Sequence, residues 1–230
     1  MTKLATVLRP ARHVLLDFDG PVCSVFAGLP AAEVARLLYG SLAKEADDLP
    51  AAWAGESDPF VLLRAVADER PVLTPQADAY LAQLEEEAVR VARPTPGAES
   101  LLRVCQDTGR AVWMVSNNAG AAISEYLAAH QLDQLVAGVF GRVSGEPSSM
   151  KPNPRLLHDA IRAAGATAGA CVFIGDAARD VEAGTAAGMP TIGYANKPHK
   201  PAKLAAAGAA VVTDSMTALA SAVVDAGPVG

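Results

Sequence analysis

Short apolar runs recur along the chain with helical patterns in the gaps between them, and this alternation narrows the fold more than any other feature. "HVLLDF", "AVWMVS", "GVFGRV", "ACVFIG" and "PTIGYA" read as strands, with "AVVTD" as a candidate sixth. "GAESLLRVCQDTG", "GAAISEYLAAHQL", "NPRLLHDAIRAAG" and "RDVEAGTAAG" read as helices. Strand and helix in alternation predict an α/β fold with a Rossmann-like parallel sheet, both faces covered by helices. Asn153 before Pro154 reads as a helix cap followed by a first-turn proline. Gly109, Gly165 and Gly188 fall where helices should end in a left-handed residue.

The alternation fails once. From Ser24 to Arg93 the patterns are helical, in "LPAAEVARLLYGSLAK", "DPFVLLRAVADER" and "TPQADAYLAQLEEEAVRVAR", and no strand is evident. Asp58-Pro59 has the form of a cap and a first-turn proline, and "RPTPGAE" closes the stretch as a hinge. The expected division is therefore an α/β catalytic core, residues 1–23 and 94–230, interrupted after its first strand by an all-α cap domain, residues 24–93. Tyr39, Trp53 and Phe60 are read as the insert's own core ahead of a substrate-stacking surface; Arg36, Lys44, Arg64 and Arg70 could reach an anionic substrate, but exposed helix faces explain most of them.

In an open parallel sheet, ligands collect at the carboxyl ends of the strands. The first strand ends at Asp17-Phe18-Asp19-Gly20, the second at Ser116-Asn117-Asn118, and the fourth at Asp176, with Asp180 four residues on in "GDAARD". Lys151-Pro152 precedes a helix. These four carboxylates and one ammonium leave a net charge of about −3 in one crevice. Two like charges ~4 Å apart repel by about 4 kcal/mol at an effective dielectric of ~20, so protonation or a cation must relieve them. Oxygen ligands with no His or Cys beside them favour Mg²⁺ over zinc. With such a cation, one of the paired aspartates can attack an electrophile and the other can move the proton of the leaving group. A lysine and a serine hydroxyl suit an anionic group in transfer, and phosphoryl transfer fits.

The ordered set "LLDFDGPV", "VWMVSN", "KPNP" and "VFIGDAARDVEAGTAAGMPTIG" closely resembles the haloacid dehalogenase-like superfamily, on its phosphatase branch of phosphoglycolate phosphatases and beta-phosphoglucomutase-like enzymes. The resemblance covers roughly Arg12 to Ala195, with the helical insert standing where that family places its cap. It implies that Asp17 is a nucleophile that becomes an aspartyl phosphate and that Asp19 is the general acid, then base. Ser116 and the Asn117 backbone would hold the phosphoryl group, and Lys151 would neutralise that group and Asp17. Asp176 would ligate Mg²⁺ with Asp17 and the Asp19 carbonyl, while Asp180 would support the metal's waters or Lys151. The dehalogenase branch lacks the second acid, so Asp19 points to a phosphatase. Ala177 stands where many relatives carry a hydroxyl residue.

A net charge of −6 without a local run of Lys or Arg excludes nucleic acid as an expected partner. No stretch has the length and apolarity of a signal peptide or a membrane span. Cys23, Cys105 and Cys171 lack metal spacing and read as reduced, buried thiols of a cytoplasmic protein, and His13, His130, His158 and His199 read as structural or surface residues. The expected activity is Mg²⁺-dependent hydrolysis of a small phosphorylated metabolite by a monomer or homodimer. The alternatives are a phosphoglucomutase-like phosphotransferase and, from a different class, a non-turnover phospho-acceptor or binding protein.

Overall fold

Hydrophobic side chains at every position of a strand pack only where both faces of the sheet are covered, and "VLL" of the first strand needs that environment. The computed structural model describes residues 2–229 and supplies it. In chain order the elements are α1 (Lys3–Leu8), β1 (His13–Leu16), β2 (Cys23–Ser24), α2 (Ala31–Leu42), α3 (Pro59–Glu69), α4 (Thr74–Arg90), β3 (Arg93–Pro94), α5 (Ala98–Asp107), β4 (Ala111–Ala119), α6 (Gly120–Ala129), β5 (Gly138–Arg142), α7 (Arg155–Ala163), β6 (Cys171–Gly175), α8 (Ala178–Ala186), β7 (Thr191–Tyr194), α9 (Lys200–Ala206), β8 (Val211–Thr213) and α10 (Met216–Ala226). Six strands form a parallel sheet in the order β5-β4-β1-β6-β7-β8, with Val14 opposite Val112 on one side and Val172 on the other. Alternate residues of β1 serve opposite faces. Val14 and Leu16 pack with Leu102, Ile123, Tyr126 and Leu219, whereas Leu15 packs with Leu157, Phe173 and Ala183. The chain leaves β1 for β4 on one side and returns through β6 on the other, so the crevice between these directions opens at the carboxyl ends of β1, β4 and β6.

The insert has apolar packing of its own. Val34, Leu38, Trp53, Phe60, Leu63, Val66 and Leu81 form one cluster, joined from outside the insert by Met150. Asp58 caps α3 as its sequence foretells, its Oδ1 accepting from the Phe60 N–H at 2.9 Å.

Four details depart from expectation. The two ends of the insert are not strand-free: β2 and β3 pair antiparallel, Cys23 with Pro94 and Ser24 with Arg93, and Thr95 Oγ1 donates to the Gly20 carbonyl at 2.6 Å beside them. Two-residue strands carry no periodicity, so only the return of the chain makes them. A short helix, α1, precedes β1. The strand expected to stop at Ser116 continues to Ala119, with a shift of register against β5 between Val115 and Ala119. The helix after Lys151 begins at Arg155 with Pro154 in the cap position, while Asn153 Oδ1 accepts from the Arg155 N–H at 3.0 Å. Gly109, Gly165 and Gly188 do take positive φ, and the three cysteines are free and buried. No helix among the described residues is long and apolar enough to cross a membrane.

Candidate active site

The period of two in "DFD" builds the first wall of the site. Phe18 points into the core, edge-on to Tyr126 at 5.3 Å between centroids, which leaves Asp17 and Asp19 on the side of the crevice. The Asp17 N–H donates to the Ile174 carbonyl at 2.9 Å, continuing the sheet by one rung, and Asp17 Oδ1 accepts from the Phe18 N–H at 2.8 Å. Asp19 Oδ1 accepts from the Val25 N–H at 2.9 Å. Gly20 follows at φ +105°, and a Cβ there would collide with the Asp176 carboxylate. Gly20→Ala is therefore expected to displace Asp176, cost about 1–3 kcal/mol of stability and lower turnover about tenfold or more; thermal melting and steady-state rates check both.

Lys151 is the hub. It is 1% exposed, and its Nζ contacts Asp17 Oδ1 at 2.8 Å and Asp180 Oδ1 at 2.7 Å and donates to the Val115 carbonyl at 3.1 Å. The Asn117 side chain brackets its backbone: Oδ1 accepts from the Lys151 N–H at 2.8 Å and Nδ2 donates to the Lys151 carbonyl at 3.2 Å. Arg64 of α3 donates to the same carbonyl at 2.7 Å. Among the four basic residues of the insert assigned to its faces, Arg36 is spent on Glu33 and Arg70 on Asp48, so Arg64 is the one these contacts bring to the site. Phe60 serves both the insert's core and the lining of the crevice.

Asp180 divides its two oxygens. Oδ2 accepts from the N–H groups of Asp176 (3.0 Å) and Ala177 (2.9 Å), closing the start of α8, and Oδ1 faces Lys151. Asp176 accepts from Asn196 Nδ2 at 2.9 Å and pairs with Lys200. Ser116 Oγ donates to Asn118 Oδ1 at 3.0 Å.

One oxygen each of Asp17, Asp176 and Asp180 lies within 4.8 Å of the others. Three convergent carboxylates without His or Cys fit a hard divalent cation. The Asp19 carboxylate stands outside that cluster, occupied by Val25. The charge balance differs from the sequence-based count, because Arg179 and Lys200 stand beside Lys151 against the four acids and leave about −1 rather than about −3. Arg179 also lies 3.6 Å from Asp58 of the insert.

Burial pushes Asp17 up to about 7 against the pull of Lys151, with Asp180 and Asp176 adding to the rise. Burial likewise lifts Asp19 to about 6, although the Val25 N–H opposes it, and raises Asp176. For Lys151 burial disfavours the charge, but Asp17 and Asp180 outweigh it and hold the ammonium above its ordinary range.

Asp17, Asp19, Ser116, Asn117, Lys151 and Asp176 thus line one small cavity of about 30 Å³. It shares Asp19, Asp176 and Arg179 with an adjoining cavity of about 1040 Å³, whose lining also carries Lys197, His199 and Lys203. Arg179, Asn196 and Lys200 were not singled out from the sequence. Arg179 sits inside the quoted "GDAARD", whereas Asn196 and Lys200 lie in the unremarkable stretch "ANKPHK" beyond β7.

Comparisons with known proteins align with this geometry. A family model described as a haloacid dehalogenase-like hydrolase matches residues 11–188. A plasmid-borne phosphoglycolate phosphatase of Cupriavidus necator is 30% identical over 94% of both chains, and a phosphoglycolate phosphatase of Pseudomonas putida is 29% identical over 79% of this chain and 68% of its own. The crystal structure of a predicted phosphatase from Clostridium acetobutylicum superposes with a TM-score of 0.73 at 16% identity, covering 93% of this chain and 98% of that one.

Proposed function

Since the chain belongs to the haloacid dehalogenase-like hydrolase family, on its phosphatase branch, we propose that it hydrolyses a small phosphomonoester through an aspartyl phosphate on Asp17, with Mg²⁺ as cofactor. The observation that carries this reading is Asp17 itself. Its carboxylate ends the central strand, faces the crevice beside Asp19, and touches a buried lysine at 2.8 Å.

An Asp17 oxygen attacks phosphorus, and the bond from phosphorus to the ester oxygen breaks. Asp19 gives its proton to the departing oxygen, then as carboxylate takes one from the water that attacks the same phosphorus. The bond from Asp17 to phosphorus breaks in that second step, releasing inorganic phosphate and restoring both acids. Burial that lifts Asp19 to about 6 suits a group that must donate and accept near neutrality. Lys151 favours the Asp17 carboxylate against the rise that burial imposes and, with Ser116 and the Asn117 backbone, neutralises and holds the phosphoryl oxygens. Asp17, Asp176 and Asp180, with the Asp19 carbonyl, would hold Mg²⁺, which supplies charge stabilisation to those oxygens.

Residues 24–93 act as the cap. Phe60 and Arg64 bring it to the crevice, where it excludes stray water and supplies substrate contacts. The adjoining cavity carries Arg179, Lys197 and Lys203, a wall suited to a second anionic group such as the carboxylate of phosphoglycolate, the compound in the names of both sequence relatives. Phosphate release from phosphoglycolate and para-nitrophenyl phosphate, assayed with Mg²⁺ and with EDTA, tests the assignment. Turnover should vanish with EDTA and return with excess Mg²⁺. Transfer of the phosphoryl group between hydroxyls of a hexose phosphate, with no free phosphate, would instead assign a mutase.

A further inference from the structure

Glu85 is an acid the chemistry above does not use, yet it is 0% exposed. It stands in the run Glu85-Glu86-Glu87 of α4, of which Glu87 is exposed. Asp78, two helical turns earlier on the same face, is buried as well. Both meet Arg142 at the end of β5: Nε contacts Asp78 Oδ1 at 2.5 Å, and Nη2 contacts Glu85 Oε2 at 2.9 Å. Apolar side chains would fill such a space at no electrostatic cost, so a buried ion cluster calls for a reason beyond packing.

The two acids differ in what else they touch. Asp78 accepts from the Gly145 N–H at 2.8 Å and reaches the end of β4 only by way of Arg142. Glu85 accepts from Asn118 Nδ2 at 2.9 Å and from the Ala119 N–H at 3.2 Å. Asn118 Oδ1 in turn receives the Ser116 hydroxyl at 3.0 Å, and Arg142 Nη1 donates to the Asn117 carbonyl at 2.8 Å. The whole stretch from Ser116 to Ala119, where β4 loses register, is thereby held by one carboxylate and its guanidinium partner.

We propose that Glu85 is a positioning residue of the phosphate pocket: from the inserted helix α4 it fixes Asn118 and Ala119, and through Asn118 the Ser116 hydroxyl, so the insert sets the geometry of the anion site. This rests on the phosphatase reading, in which Ser116 and Asn117 hold the phosphoryl group.

Inorganic phosphate is the probe, titrated by calorimetry with Mg²⁺ present into wild type, Glu85→Gln and Asp78→Asn, with melting temperatures and kcat/KM alongside. Glu85→Gln should weaken phosphate binding about tenfold and lower kcat/KM at least as much. Asp78→Asn removes a charge from the same cluster and should lower the melting temperature while leaving phosphate affinity within about twofold. Equal losses of affinity in both variants, or none in Glu85→Gln, would overturn the assignment and leave the cluster a purely structural one. Should Glu85→Gln fail to fold, Asn118→Ala breaks the link to Ser116 without stripping charge from Arg142, and an unchanged affinity there overturns it equally. Wild type that binds phosphate but hydrolyses no ester contradicts the phosphatase reading and leaves this comparison intact. Wild type that binds no phosphate overturns the positioning role.

Discussion

Asp17→Asn is expected to reduce phosphate release by about 10⁴-fold or more while the protein stays folded. The amide has the shape of the carboxylate but is a poor nucleophile, and it removes one of the two counter-charges of Lys151 while Asp180 remains at 2.7 Å. Steady-state rates at saturating Mg²⁺, with circular dichroism as the folding control, decide it. A residual rate within a hundredfold of wild type, checked against contamination, would remove Asp17 from the nucleophile's role.

Lys151→Met is expected to damage stability and activity together. The wild-type ammonium is enclosed by two carboxylates and the Val115 carbonyl, with the Phe173 ring 5.2 Å away. Removing it leaves Asp17 and Asp180 facing each other in a buried space, a loss of about 3–5 kcal/mol for breaking a buried pair. At this chain length that lowers the melting temperature by roughly 6–20 °C. Turnover should fall by about 10³-fold, because the phosphoryl oxygens lose a preorganised cation. Lys151→Arg should not rescue either property, since a planar guanidinium needs more room than the point charge it replaces. A variant that melts with wild type would show that Lys151 is not the hub of the site.

What the sequence discloses follows the range over which each feature is set. The six strands of the main sheet and the three insert helices are each specified by a local pattern, and each is present in its expected stretch, β4 running three residues past its expected end. Asp17, Asp19, Ser116, Asn117 and Asp176 follow strand ends, which share one crevice in a parallel sheet, and the structure gathers them there with Lys151 and, behind it, Asp180. Partners joined only by the tertiary fold were not legible. Arg142 meets Glu85 across 57 positions, and nothing in the run Glu85-Glu86-Glu87 marks which acid is buried until α4 is placed against β5. Lys200 reaches Asp176 from 24 positions away, which is why the site is less acidic than a count of its motifs suggests. The β2–β3 pair arises from the closure of a long insertion, and no periodicity in two residues could announce it.

Trapping the phosphoryl group on the chain tests the central chemistry most directly. Asp19→Asn should still react with para-nitrophenyl phosphate, whose phenolate departs without a proton, but it lacks the base for the second step. Mixed rapidly with this ester and quenched in acid, the variant should release one equivalent of para-nitrophenol per chain in a burst, and peptide mass analysis should find the phosphoryl group on Asp17. Linear product release without a burst, or a phosphoryl group on any other residue, would contradict an aspartyl phosphate at Asp17.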